Sequence, residues 1–129
     1  MANPNIVSVS SIYGESIGEA LTTTVTTDIM TVASNKLVKL NFISVTNTHA
    51  TVAVAVTVKI VKAGFTSAGI GANQDNAGIF LLASTVSLPA DDVLIVVDKP
   101  IYLMETDVLE AGASAVTADI FISYEVISV

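Results

Sequence analysis

Cysteine, tryptophan and arginine are all absent from this chain of 129 residues. Without cysteine there are no disulfides, no thiolate metal ligands and no cysteine nucleophile. The positive charges are five lysines, Lys36, Lys39, Lys59, Lys62 and Lys99, against twelve Asp and Glu, for a net charge of −7. The isoelectric point is near 4.2. Binding to nucleic acid or to an anionic membrane surface depends on Lys and Arg neutralising phosphate, so neither partner is expected. Charged residues of both signs make up only 13%, about half the usual share. The opening residues Met1-Ala2-Asn3-Pro4-Asn5 lack the positive patch and apolar run of a secretory signal.

What remains is 52% hydrophobic, drawn mostly from Val, Ile, Leu and Ala, with Thr and Ser supplying most of the polarity. That mixture excludes disorder, which needs low hydrophobicity and high charge. It also argues against a long-helix protein, which would be rich in Glu, Lys, Arg and Leu. The length suits a single domain spanning 1–129, with enough chain to build a core unaided. Between Lys39 and Lys59 no residue carries a charge unless His49 is protonated. Asn41, Ser44, Asn47, Thr51 and Thr57 interrupt this stretch, and its second half alternates with period two, so it reads as strands and not as a membrane span.

Strand periodicity runs through nearly the whole chain. Val52, Val54, Val56, Val58 and Ile60 fall on one face, and Thr51, Ala53, Ala55, Thr57 and Lys59 on the other. In the preceding strand, 36–46, Leu40 and Phe42 share a face and Ile43 and Val45 take the opposite one. A phase slip of that kind predicts a β-bulge or a strand covered on both sides. Asn47 to Ala50 reads as the turn of a hairpin joining these two strands. Further strands are expected at 6–13, stopping at Gly14, and as one or two strands within the threonine-rich 20–32. A helical turn is expected over 15–21. The remaining strands fall at 79–88, 93–97 (short and buried), 101–104, 108–111 and 118–129. In the last of these, Ile120, Ile122, Tyr124 and Val126 share a side. Pro89-Ala90-Asp91-Asp92 is a turn, and Gly64 to Gly78 is a long surface loop. About eight short strands with turn signals and no convincing helix predict an all-β, single-domain antiparallel sandwich or barrel.

No catalytic or metal-binding set survives inspection. His49 is the single histidine and lies in a turn, so it reads as a solvated turn residue. A histidine metal site needs further imidazoles or converging carboxylates. Asn73, Asp75 and Gly78 resemble the start of a calcium loop. However, Ala77 and Ser84 stand at its later ligand positions. Gly64, Gly69 and Gly71 fit neither the phosphate loop nor the dinucleotide fingerprint. Glu105, Asp107 and Glu110 could suggest a glycosidase pair, but they read as a solvated acidic rim. Asp91, Asp92 and Asp98 read as turn residues. No catalytic residue, cofactor or metal ligand is therefore assigned, and the chain is expected not to be an enzyme.

One property does call for an explanation. The mean hydropathy is +0.73, high for a chain with so few charges. A sandwich normally hides only its inner faces. Here the outward positions are largely Ala, Thr, Ser and Val, which suits subunit contacts. Homo-oligomerisation or binding to a larger assembly follows.

The stretch 86–109, VSLPADDVLIVVDKPIYLMETDVL, followed by ADIFISYEVI at 118–127, resembles small virion structural proteins of tailed bacteriophages, notably those of cyanobacteria. Ile12-Tyr13-Gly14-Glu15 and KLVKLNFISVTN at 36–47 are similar to the same group. The likeness covers most of the chain and has no catalytic signature. It implies a jelly-roll-like sandwich acting as a capsid cement or decoration protein on the outer capsid surface of the virion. Its partners would be the major capsid protein and itself, with a trimer favoured over a dimer. An extended arm, residues 1–6, and the Gly64–Gly78 loop are the expected contact segments. A neck, tail or head-fibre role is the first alternative. A carbohydrate-binding sandwich is the second, although without Trp it would depend on Tyr13, Tyr102 and Tyr124 for stacking.

Overall fold

A computed structural model describes residues 9–24, 27–62 and 78–128. Its strands are β1 (Ser11–Ala20), β2 (Thr27–Thr31), β3 (Lys36–Asn47), β4 (Val54–Val61), β5 (Ile79–Leu88), β6 (Val93–Val97), β7 (Ile101–Leu103), β8 (Val108–Ala113) and β9 (Ala118–Ser128). No helix occurs among the described residues. The first sheet runs β1-β9-β3-β6, with β7 also paired to β3, and the second runs β2-β8-β4-β5. Every pairing is antiparallel.

The order has a simple origin. The chain doubles back between β4 and β5, so that β4 meets β5, β3 meets β6 and β7, β2 meets β8, and β1 meets β9. This long double ribbon then rolls into two facing sheets, which adds the β3–β9 and β4–β8 pairings. It is a jelly roll: the periodicity predicts a sandwich or barrel, and the resemblance implies the jelly roll. Nine strands stand among the described residues, and β6 and β7, expected as separate strands, lie end to end along β3. Between them stand Asp98, Lys99 and Pro100, and proline has no N–H for the ladder.

Rolling creates three double corners, where two chain segments cross between sheets side by side. At the first, Leu21 N donates to Ala118 O and Ala113 N to Thr22 O. At the second, Val32 N donates to Asp107 O and Thr106 N to Val32 O. At the third, Asn47 N donates to Asp92 O and Asp91 N to His49 O. These bonds satisfy backbone groups that leave one ladder before joining the next. Left-handed backbone occurs at Asn35 and Thr106, both at the second corner, at Asp91 at the third, and at Thr85 within β5, and Asn and Asp tolerate it well. Where β4 turns towards β5, Lys62 N donates to Gly78 O. Gly78 has φ +84, and a Cβ there would stand 2.7 Å from Lys62 O, so both conformation and space require glycine.

The core is aliphatic. Leu40, Ile43, Val45, Val56, Val58, Leu103, Leu109 and Ile122 are completely enclosed. Ile120, Ile122, Tyr124 and Val126 all turn inward from β9, as their spacing predicts. The phase slip in β3 is a bulge, with the register to β9 shifting between Leu40 and Phe42. The extra residue lets Leu40 and Ile43 both reach the core, and Phe42 is left only partly buried.

Five expectations are corrected. Asn47 to Ala50 does not close a hairpin, because β3 and β4 lie in different sheets. Val52 precedes β4 and is exposed, so the inward row begins at Val54. Gly14 does not end the first strand, and 15–21 is not a helical turn. β1 continues to Ala20, held by an unbroken ladder to β9. Finally, 93–97 is not a buried strand, because Val93 and Ile95 face solvent.

Candidate interaction surface

Residues opposite one another in an antiparallel pair share a face, so the register maps the outward surface directly. On β9, Phe121, Ser123 and Glu125 alternate with the core residues and point outward. Phe121 lies opposite Gly18 on β1 and Ser44 on β3, and Ser44 lies opposite Ile95 on β6. The next row places Asp119 against Thr46, and Thr46 against Val93. Towards the other end, Glu125 faces Lys39, and Lys39 faces Tyr102. Phe121 is 49% exposed, Ile95 48% and Tyr102 50%. The outer face of the first sheet therefore exposes four large apolar side chains, Phe121, Ile95, Val93 and Tyr102, among Ser44, Thr46, Ser123 and Asp119 and beside the ion pair Lys39–Glu125 at 3.7 Å.

The second sheet differs. Across its outer face Asp28 lies opposite Glu110, Glu110 opposite Lys59, and Lys59 opposite Leu81. Lys59 and Glu110 pair at 3.4 Å. These charges interrupt the surface of the second sheet, whose edge strand β5 also exposes Phe80, Leu81, Leu82 and Val86.

The residues weighed for chemistry have structural duties. His49 Nδ1 accepts from Thr51 N at 3.1 Å and Val52 N at 3.0 Å, which organises the crossing into β4. Glu105 Oε2 accepts from Asn35 N at 2.8 Å and ties the second double corner. Asp107 is not part of a solvated rim, as its spacing suggested. It is fully buried, accepts from Met104 N at 2.8 Å, and pairs with Lys62 at 2.6 Å. Its Oδ1 has no hydrogen-bond partner among the described residues. Asp92 Oδ1 accepts from Val93 N, and Asp98 is exposed. Among the described residues no three His, Asp or Glu side chains gather as a metal site. The arm at 1–6 lies outside the described residues, as do Asn73, Asp75 and the rest of the Gly64–Gly78 loop before Gly78.

Sequence spacing places Tyr124 on the inward side of β9 but does not mark its polar partner, Glu15. The side chain does project inward from β9, and its hydroxyl donates to Glu15 Oε2 at 2.6 Å. Burial, and then the hydrogen bond and negative charge of Glu15, push its pKa up to about 12. The contact ties β1 to the edge of the core at a depression lined by Tyr13, Met30, Lys36 and Val126.

No family model matches the chain, and no curated protein sequence matches it. Among solved structures it is similar to the crystal structure of the infectious bursal disease virus VP2 subviral particle, with a TM-score of 0.39 and 14% identity. The likeness covers 92% of this chain and 32% of that one, so the chain spans about a third of that protein's length.

Proposed function

We propose that the chain is a virion structural protein of a tailed bacteriophage: a capsid cement or decoration protein that lays the outer face of its β1-β9-β3-β6 sheet on the major capsid protein. The observation that carries this reading is that face, with Phe121, Ile95, Val93 and Tyr102 exposed beside Asp119 and the Lys39–Glu125 pair. Apolar patches of this kind on a rigid sheet mark protein contacts. The sequence likeness at 86–109 and 118–127 supports the same role, and it includes β6, β7 and β9, the strands that build most of the face. The net charge of −7 suits a position outside the shell, away from packaged DNA.

The test is copy number together with occupancy. Quantitative protein gels of purified virions are expected to give hundreds of copies, as a symmetric coat requires. A dozen or fewer would assign the chain to the neck or tail, and absence from the particle would overturn the reading. Phe121→Asp with Ile95→Asp should lower binding to capsids lacking the chain by about tenfold or more, because each carboxylate must be desolvated at the contact. Undiminished binding of a folded double variant would move the contact to another face.

A further inference from the structure

Among the described residues the two sheets have four edges, formed by β1, β2, β5 and β6 with β7, and three of them are protected. β2 has five residues and a register shift, β5 has two register shifts, and β6 is short, with a register shift and the Pro100 break before β7. Short length, bulges, charged side chains and Pro are the usual ways of blunting an edge. β1 has only the charges of Glu15 and Glu19. It runs for ten residues with an unshifted register to β9, and its sequence SIYGESIGEA contains neither Lys nor Pro. All of it except Ile17 is exposed, and no strand pairs with its other side among the described residues.

We propose that this edge pairs antiparallel with β1 of a second copy, across a two-fold axis at Ser16. A two-fold perpendicular to the sheet keeps outward residues opposite outward residues, so the numbers of facing residues must sum to an even value. Sums of 30, 34 and 38 put Glu15 or Glu19 directly opposite another glutamate, which is destabilising. A sum of 32 avoids every such pair and leaves the longest overlap of those that do. It places Ser16 against Ser16 of the partner subunit, Gly14 against Gly18, Ile12 against Ala20, Glu15 against Ile17, and Tyr13 against Glu19. This register also accounts for the two glycines. Neither has positive φ, and a Cβ at either would meet only ordinary contacts, 3.9 Å to Tyr124 O at Gly14 and 3.5 Å to Phe121 at Gly18. Nothing within the chain demands glycine there. Facing each other across the seam, they let the outer surfaces of the two copies join without a ridge. The two-fold is isologous and closes at two copies, in place of the trimer expected from the sequence.

The chain lacks cysteine, which makes the test direct. Sedimentation equilibrium of the purified chain is expected to show a dimer. Ser16→Cys should oxidise to a covalent dimer, whereas Ser84→Cys, on the bulged β5 edge, should not. Ser16→Lys sets two ammonium groups opposite each other and should raise the dissociation constant by up to about fivefold, with unchanged circular dichroism. A monomeric or trimeric wild type, or equal cross-linking at positions 16 and 84, overturns the proposal. No capsid enters the experiment, so its failure leaves the capsid contact standing. Failure of the Phe121 and Ile95 variants to weaken capsid binding likewise leaves the dimer standing.

Discussion

Two of the double corners are each organised by one fully buried polar side chain, and the two are chemically opposite. Asn47 holds the crossing between β3–β4 and β5–β6. Its Nδ2 donates to Val52 O at 2.8 Å and to Leu88 O and Pro89 O at 3.2 Å, and its Oδ1 accepts from His49 N at 3.0 Å. Asp107 holds the crossing between β2–β3 and β7–β8 with a charge. One oxygen accepts from Met104 N and Lys62, and the other has no partner among the described residues. A neutral amide can sit in the core indefinitely once its donors and acceptor are matched. A carboxylate there needs its cation, because desolvation opposes it at all times. The chain thus braces one end of the roll by satisfaction and the other by compensation.

Removing each brace separates the two modes. Asp107→Ala deletes the acceptor for Met104 N and strips Lys62 of its buried counter-charge. It is expected to lower unfolding free energy by roughly 3–5 kcal/mol in urea titrations. Asp107→Asn keeps the shape and should recover part of that loss. Asn47→Ala leaves carbonyls of Val52, Leu88 and Pro89 and the N–H of His49 short of a partner. Water can reach some of them near the exposed Val52, so the expected loss is smaller, about 2–3 kcal/mol. If Asn47→Ala proves the more damaging, charge compensation is not what distinguishes the two corners.

The difference between these corners was only half legible in the sequence. Asn47, His49 and the acidic turn at Asp91 and Asp92 advertise a turn. Whether the chain then pairs back or crosses to another sheet is decided by contacts more than forty residues away, such as Asn47 with Leu88. Asp107 was hidden by its neighbours. Beside Glu105 and Glu110 it reads as one of a run of surface acids, and its burial depends on Lys62, 45 positions earlier. The bulge in β3 was readable because Leu40, Phe42 and Ile43 disturb their own alternation. β1 was misread because both its faces are exposed and no apolar period exists to detect; only the backbone ladder to β9 makes it a strand. The apolar outward face was visible as composition but not as place. Ile95 and Val93 sit in a run that looks buried throughout, whereas only Leu94, Val96 and Val97 of it pack towards the core.

Tyr124 with Glu15 combines the two modes: a neutral donor on a charged acceptor, at the margin of the core. Tyr124→Phe should cost about 1–1.5 kcal/mol near neutral pH. The phenol's pKa is raised in the fold to about 12 from 10. Its contribution is therefore complete below pH 10 and is lost as pH climbs through about 12. Wild type should lose stability across that window more steeply than Tyr124→Phe. Ultraviolet titration of the folded protein should show one tyrosine ionising near pH 12 that the variant lacks. Equal slopes would mean that Glu15 does not hold the hydroxyl in solution.

The smallest effect is expected at the ion pair on the outer face. Lys39 and Glu125 stand 3.7 Å apart with side chains 31% and 37% exposed, whereas Lys62 and Asp107 are at 2.6 Å with the carboxylate wholly enclosed. Water and salt screen the first pair, so Lys39→Ala should change stability by no more than about 0.5 kcal/mol, and by less in molar salt. The same substitution removes a positive charge from the outer face between Tyr102 and Glu125. If that face docks on a shell, Lys39→Ala should alter capsid binding more than it alters folding. A change in unfolding free energy as large as that of Asp107→Ala would mean that burial is not what sets the worth of an ion pair in this fold.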